Sequence, residues 1–235
     1  MSKIVNYYKY ICLAKWLYLQ GVRGLHFQII KIMKTKKLKL TALLVLTLFA
    51  SINLANAQDT PPAGTPVIAM TVTNNATIRM SFYMEAAGTI WVETAPGNFT
   101  PAILAAGWNN HRTFTTTGTT LKVHGNIARF ECSGNGTKLT GLNPSGNTQL
   151  LGLQCNNNCL TALNVSALTE LTDLNCNLNN IASLDVSQNT RLTRLECGIN
   201  KNLQTLNLTA NTELTILSCS SCKLTGLDIS ANTKL

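Results

Sequence analysis

From Leu139 onward the chain repeats itself, and this repeat constrains the fold more than any other feature of its 235 residues. Four near-identical lines follow one another: LTGLNPSGNTQLLGLQCNNNC (139–159), LTALNVSALTELTDLNCNLNN (160–180), IASLDVSQNTRLTRLECGINKN (181–202) and LQTLNLTANTELTILSCSSCK (203–223). A fifth, LTGLDISANTKL (224–235), is broken off, and a degenerate half-line, Ile127 to Cys132, leads in. The period is 21 residues, with one extra in the third line. So many matched positions exclude chance and predict a solenoid of stacked coils.

The second half of each line reads L-x-x-L-x-C-x-x-N-x-L. In a short strand alternate side chains face the same way, so the second Leu and the Cys share the core side. The Asn then turns the chain, and its buried amide can satisfy backbone groups that a tight bend leaves unpaired. The predicted ladders are Leu153, Leu174, Leu195, Leu217; Cys155, Cys176, Cys197, Cys219; and Asn158, Asn179, Asn200, with Cys222 in the Asn place of the last full line. The first half gives Leu142, Leu163, Leu184, Leu206, Leu227 and Pro144, Val165, Val186, Leu208, Ile229.

At these residues the chain resembles the leucine-rich repeats of bacterial surface proteins. The match is to the 21-residue LTxLDVSxNTxLTxLxCxxNx type of secreted Bacteroidetes proteins, with internalins as more distant relatives. The resemblance covers roughly residues 121–235. It implies a mainly β fold, a curved parallel-β solenoid, a ligand on an exposed face, and a role in adhesion or host contact. It carries over no catalytic residues.

Residues 1–57 hold nine of the 19 Lys and Arg residues and no acidic ones; the remaining ten balance all ten acids. The rest of the chain therefore lacks the basic stripe that nucleic acid requires. Met33 begins a positive n-region, an apolar run from Leu40 to Ala50 follows, and Ala55-Asn56-Ala57 has a cleavage pattern. Residues 1–57 read as a leader with a signal peptide, its start at Met33 and its cleavage after Ala57. An N-terminal anchor is the alternative, although the apolar run is shorter than the about 20 residues a span needs. The expected product is exported, secreted or at the cell surface, with no stable membrane span in the mature chain.

Residues 58–66 read as a Pro-rich tether and 67–126 as a β-rich N-terminal cap, with repeats over 127–235. Ile78–Met84 and Thr89–Thr94, separated by Glu85-Ala86-Ala87-Gly88, predict a hairpin. Thr115 to Val123 predicts another strand. The chain stops inside a repeat without a polar capping segment, so the expectation is a truncated reading frame or half of an edge-to-edge dimer.

Eight cysteines in an exported chain suggest disulfides. The ladder spacing argues instead for stacked, reduced thiols acting as small hydrophobes, because coils about 4.8 Å apart hold parallel side chains too far apart to bridge. Cys219-Ser220-Ser221-Cys222 fills ladder positions and is not read as a redox motif. Cys159 lies off the ladder. His111 and His124 have no partner spacing for catalysis, and no metal cluster or phosphate loop is visible. The chain reads as a non-enzyme without cofactor.

If the L-x-C half forms the concave strand, its outward residues include Arg129, Glu131, Gln154, Asp173, Asn175, Arg194 and Glu196. Both halves carry L-x-x-L, so sequence does not choose between them. The row is polar, of mixed charge and free of aromatics, which suits a protein ligand better than a sugar. Two readings compete with it: a structural spacer without ligand, and glycan binding through cap aromatics centred on Trp91 and Trp108.

Overall fold

The structure, a computed structural model, describes residues 60–235. The leader, with its start at Met33 and cleavage after Ala57, lies outside the described residues. Among the described residues there is no helix, so none is long and apolar enough to cross a membrane.

The strands are β1 (Val67–Val72), β2 (Thr77–Met84), β3 (Gly88–Ala95), β4 (Asn98–Leu104), β5 (Gly107–Thr115), β6 (Thr120–His124), β7 (Arg129–Glu131), β8 (Leu139–Asn143), β9 (Gly152–Gln154), β10 (Asp173–Asn175), β11 (Arg194–Glu196) and β12 (Ile216–Ser218). One sheet has the order β4-β3-β6-β1-β8, and the other β12-β11-β10-β9-β7-β2-β5. In the second sheet β7 and β9–β12 run parallel, one strand per coil, while β2 pairs antiparallel with both β7 and β5. In the first, β8 from the opening coil pairs antiparallel with β1. Both sheets of the antiparallel part therefore run on into the first coil.

Alternation explains why these strands bury one face. Ile78, Met80, Phe82 and Met84 of β2 meet Ile68 and Met70 of β1, Ile90 and Val92 of β3, and Leu121 and Val123 of β6 in a shared core. The hairpin expected between β2 and β3 does not form. The two strands belong to different sheets, and residues 85–87 cross between them. Crossing sheets lets the two apolar faces oppose one another across the core, which a hairpin within one sheet would not do. The strand expected over Thr115–Val123 is interrupted: Thr116 Oγ1 donates to Gly118 O (2.7 Å) in a bend between β5 and β6. Within the Pro-rich stretch, Thr65 N and Oγ1 donate to Pro62 O (3.2 and 2.6 Å), and Pro66 O accepts from Gly125 N (2.9 Å).

The coils stack in register. Phe130, Leu153, Leu174, Leu195 and Leu217 stand opposite one another. The L-x-C half forms the parallel sheet. The first half forms a strand only at β8, and in the coils that follow it is a chain of turns. Each turn is set by Asn143, Asn164, Asp185, Asn207 or Asp228, whose Oδ1 accepts from the backbone N–H two residues on at 2.9–3.1 Å. The bond from Ser187 N–H to Asp185, and likewise from Ser230 to Asp228, holds these carboxyls below their ordinary value.

The asparagine ladder is as expected, and it begins one coil earlier, at Asn135. Asn158, Asn179 and Asn200 each donate Nδ2–H bonds to the Cys carbonyls of their own and the preceding coil, at 2.8–3.1 Å. Their Oδ1 atoms accept from the N–H groups of Asn135, Leu160 and Ile181 at 2.9–3.0 Å. Asn135 reaches the antiparallel part, exchanging bonds with Arg79 N (2.8 Å) and O (3.0 Å). In the last full line the Cys222 thiol donates to Cys197 O (3.4 Å). Cys132, Cys155, Cys176 and Cys197 are buried free thiols, and burial, aided by neighbouring thiols or Glu131, pushes all four up in pKa. They remain protonated and act as small apolar groups.

The coils carry two further ladders. Asn147, Asn189, Asn211 and Asn232 are buried in the first half-line, with Leu168 in their place in the second coil. Asn189, Asn211 and Asn232 donate Nδ2–H bonds to carbonyls of adjacent coils at 2.7–3.0 Å, yet the Oδ1 of all four has no protein partner. Thr172, Thr193 and Thr215 donate Oγ1–H bonds to the carbonyls of Leu151, Thr172 and Thr193 at 2.9–3.0 Å.

Three residues beyond each strand of the solenoid the chain takes a left-handed residue: Gly134 (φ 73), Asn157 (57), Leu178 (56), Ile199 (56) and Ser221 (58). Gly and Asn take this backbone readily, but a β-branched residue crowds its own carbonyl there. Ile199→Asn should therefore stabilise the chain by about 1 kcal/mol, raising the melting temperature by about 2–4 °C in a thermal scan. An unchanged or lower value would show that the strain is absorbed elsewhere.

On the first sheet, Glu93 is buried beside Lys122 Nζ (3.1 Å) and His124 Nε2 (3.2 Å), and its Oε1 accepts from Gly97 N (3.1 Å). Desolvation pushes its pKa up, but the Gly97 bond, Lys122 and His124 together outweigh it, so the folded value lies below 4.5. The contribution of a depressed carboxylate is full above the unfolded value and is lost as pH falls through the folded one. Urea unfolding at neutral pH and near pH 3 should thus show a larger acid loss in the native chain than in Glu93→Gln. Equal losses would remove Glu93 from the account.

Candidate protein-binding face

Strands β7 and β9–β12 turn Leu and Phe side chains inward, so the residues flanking them face outward in two rows. One row is Arg129, Gly152, Asp173, Arg194, Ile216; the other is Glu131, Gln154, Asn175, Glu196, Ser218. All seven residues expected to form a contact patch, Arg129, Glu131, Gln154, Asp173, Asn175, Arg194 and Glu196, thus stand on one sheet face.

Hydrogen bonds fix most of them. Arg129 Nη1 reaches Asp173 Oδ2 (3.6 Å) two strands away. It can do so because residue 152 is Gly: a Cβ there would lie 2.7 Å from the guanidinium. Glu196 is the hub at the other end. Its Oε1 accepts from Arg194 Nε (2.6 Å), and its Oε2 accepts from Asn175 and Asn177 Nδ2 (both 3.0 Å). Asn177 Oδ1 in turn accepts from Gly198 N (2.5 Å). Glu131 accepts from Ser81 Oγ (2.7 Å) and meets His111 Nε2 (3.3 Å). Exposed ion pairs are worth little in stability, so this array matters more as a fixed pattern of donors and acceptors.

Alternation along the strands places Gly152 and Asn177 on the face as well, whereas no local pattern marks Ser81 and His111 as parts of it. Asn177 follows from the repeat two residues beyond Asn175. Ser81 and His111 sit on β2 and β5, and only the antiparallel pairing of β2 with β7 brings them in.

Trp91 lies on β3 of the first sheet and is 6% exposed; Trp108 lies on β5 of the second and is 51% exposed, with its ring edge-on to Tyr83 at 5.7 Å. The two indoles do not form one platform. Among the described residues, no cluster of three or more His, Cys, Asp or Glu is placed to hold a metal ion.

No protein-family model matches the chain, and no curated protein matches it. Two solved structures to which it is similar are internalins. The functional domain of InlJ from Listeria monocytogenes, which includes a cysteine ladder, is 43% identical over 47% of this chain and 24% of that one, with a TM-score of 0.45. The internalin InlF of the same species is 27% identical over 41% of this chain and 30% of that one, with a TM-score of 0.37. The chain thus matches less than a third of either internalin's length.

Proposed function

We propose that the chain is an exported interaction module that binds a protein ligand on the face of β7 and β9–β11, in adhesion or cell-surface contact. The observation that carries this reading is the outward array itself: polar groups of both signs in fixed positions on a rigid parallel sheet. Such a surface gives specificity through charge and hydrogen-bond complementarity, with little reorganisation on binding. Export rests on the leader pattern of residues 33–57.

The test uses short random peptides displayed on phage and selected against the full chain. Arg194→Ala combined with Glu196→Ala should weaken the selected peptides by about tenfold, and Trp108→Ala should leave them unchanged. Equal affinity for the doubly substituted and native chains would overturn the reading. The half-exposed Trp108 beside Tyr83 favours a second reading, glycan stacking. A glycan array that loses signal on Trp108→Ala alone would support it.

A further inference from the structure

A cleft opens where β3 and β6 part. β3 pairs with β4 from Gly88 onward, but its pairing with β6 begins only at Trp91, opposite His124. Beyond His124 the chain turns away from β3: Gly125 N–H donates to Pro66 O (2.9 Å), and Ala128 N–H donates to Tyr83 O (3.0 Å). The departure needs glycine, because residue 125 adopts φ 152 and a Cβ there would lie 2.8 Å from Ile90 Cγ2. It leaves about 830 Å³ between the turn at 62–66, the crossing at 85–89 and the first coils, where Gln149, Leu151 and Glu170 stand. Gly88 and Thr89 line this space, so there β3 is a strand paired on one side only.

The charge of the cleft has one sign. Among the described residues that line it, Glu85 and Glu170 are charged, and there is no Lys, Arg or His. Glu170 is already paired with Arg191, whereas Glu85, exposed on the crossing, makes no ion pair or hydrogen bond with any described residue. An anionic ligand would therefore be repelled. Trp91 is 6% exposed, which leaves too little of its ring for a sugar to stack on. The flanking loops are built from small residues, Ala63-Gly64 on one side and Ala86-Ala87-Gly88 on the other, so a ligand can reach their backbone. A half-paired strand inside such a space suits an extended peptide, which takes its affinity from main-chain bonds and its specificity from single side chains. We propose that the cleft is a second binding site: an extended protein segment adds as a strand along Gly88 and Thr89 and presents a lysine or arginine to the Glu85 carboxylate. This site is separate from the face of β7 and β9–β11 and does not depend on it.

The test selects random heptapeptides on the full chain carrying Arg194→Ala and Glu196→Ala, so that ligands of the proposed face are not enriched. The enriched peptides are then titrated against the same chain with Glu85→Gln added. Glu85 is exposed and bonded to no described residue, so this variant should melt as its parent does, and a loss of affinity cannot be a loss of fold. The expected result is a set of peptides with a lysine or arginine, bound about tenfold more weakly by Glu85→Gln. Hydrogen exchange should slow over 86–89 when they bind. No enrichment, acidic peptides, or unchanged affinity in Glu85→Gln would each overturn the proposal. So would protection at Trp108 in place of 86–89, or displacement of the peptides by chitohexaose, which would make the cleft a sugar site.

Discussion

Asn179→Leu should lower the melting temperature by roughly 10 °C, although the side chains are close in size. The buried Asn179 amide donates to Cys155 O (3.0 Å) and Cys176 O (3.1 Å), and its oxygen accepts from Leu160 N (3.0 Å). Leucine would leave these groups without that partner in a site closed to water, for about 3–5 kcal/mol in sum. The control is Asn189→Leu in the other ladder. Asn189 Oδ1 already lacks a partner, and Leu168 fills the same position one coil earlier, so the cost there should be about 1 kcal/mol. Calorimetry on the two variants decides the matter. Equal losses would mean that the Asn179 hydrogen bonds do not hold the coils together.

Phe130→Ala should cost about 3–5 kcal/mol. Phe130 is fully buried on β7, the strand at which antiparallel pairing gives way to parallel pairing. It stands opposite Phe82 of β2, with ring centroids 5.6 Å apart, and opposite Leu153 of β9. Its removal opens a cavity lined from both sides, where neither the sandwich core nor the coils can collapse without giving up strand pairing. Leu217→Ala, at the same ladder position in the half-buried strand β12, should cost less than half as much. Urea unfolding of the two variants compares them. A Phe130→Ala loss no greater than that of Leu217→Ala would show that β7 does not join the two parts.

The repeat made the solenoid legible because a translation of 21 residues turns sequence identity into spatial identity: Leu174 stacks on Leu153, and Asn179 takes the hydrogen bonds of Asn158. The same logic was available for Asn189, Asn211 and Asn232, whose Asn-Thr pairs recur in the lines. They sit in a turn and carry no strand periodicity to suggest an inward direction. Alternation along the short strands also placed Arg129 through Glu196 on one face.

What sequence did not reveal is non-local. Ser81 pairs with Glu131 across 50 residues, and neither strand specifies the other as its partner. The link Glu85-Ala86-Ala87-Gly88 looks like a hairpin turn because local chemistry does not distinguish a turn within a sheet from a crossing between sheets. The role of Gly152 appears only once Arg129 lies across it.

The most direct test of the account is a hydrogen-exchange footprint of a selected peptide on the full chain. Protection at 173–178 and 194–199, with none along β5, is the predicted result. Protection confined to Gly107–Thr115, or spread evenly over the coils, would contradict it.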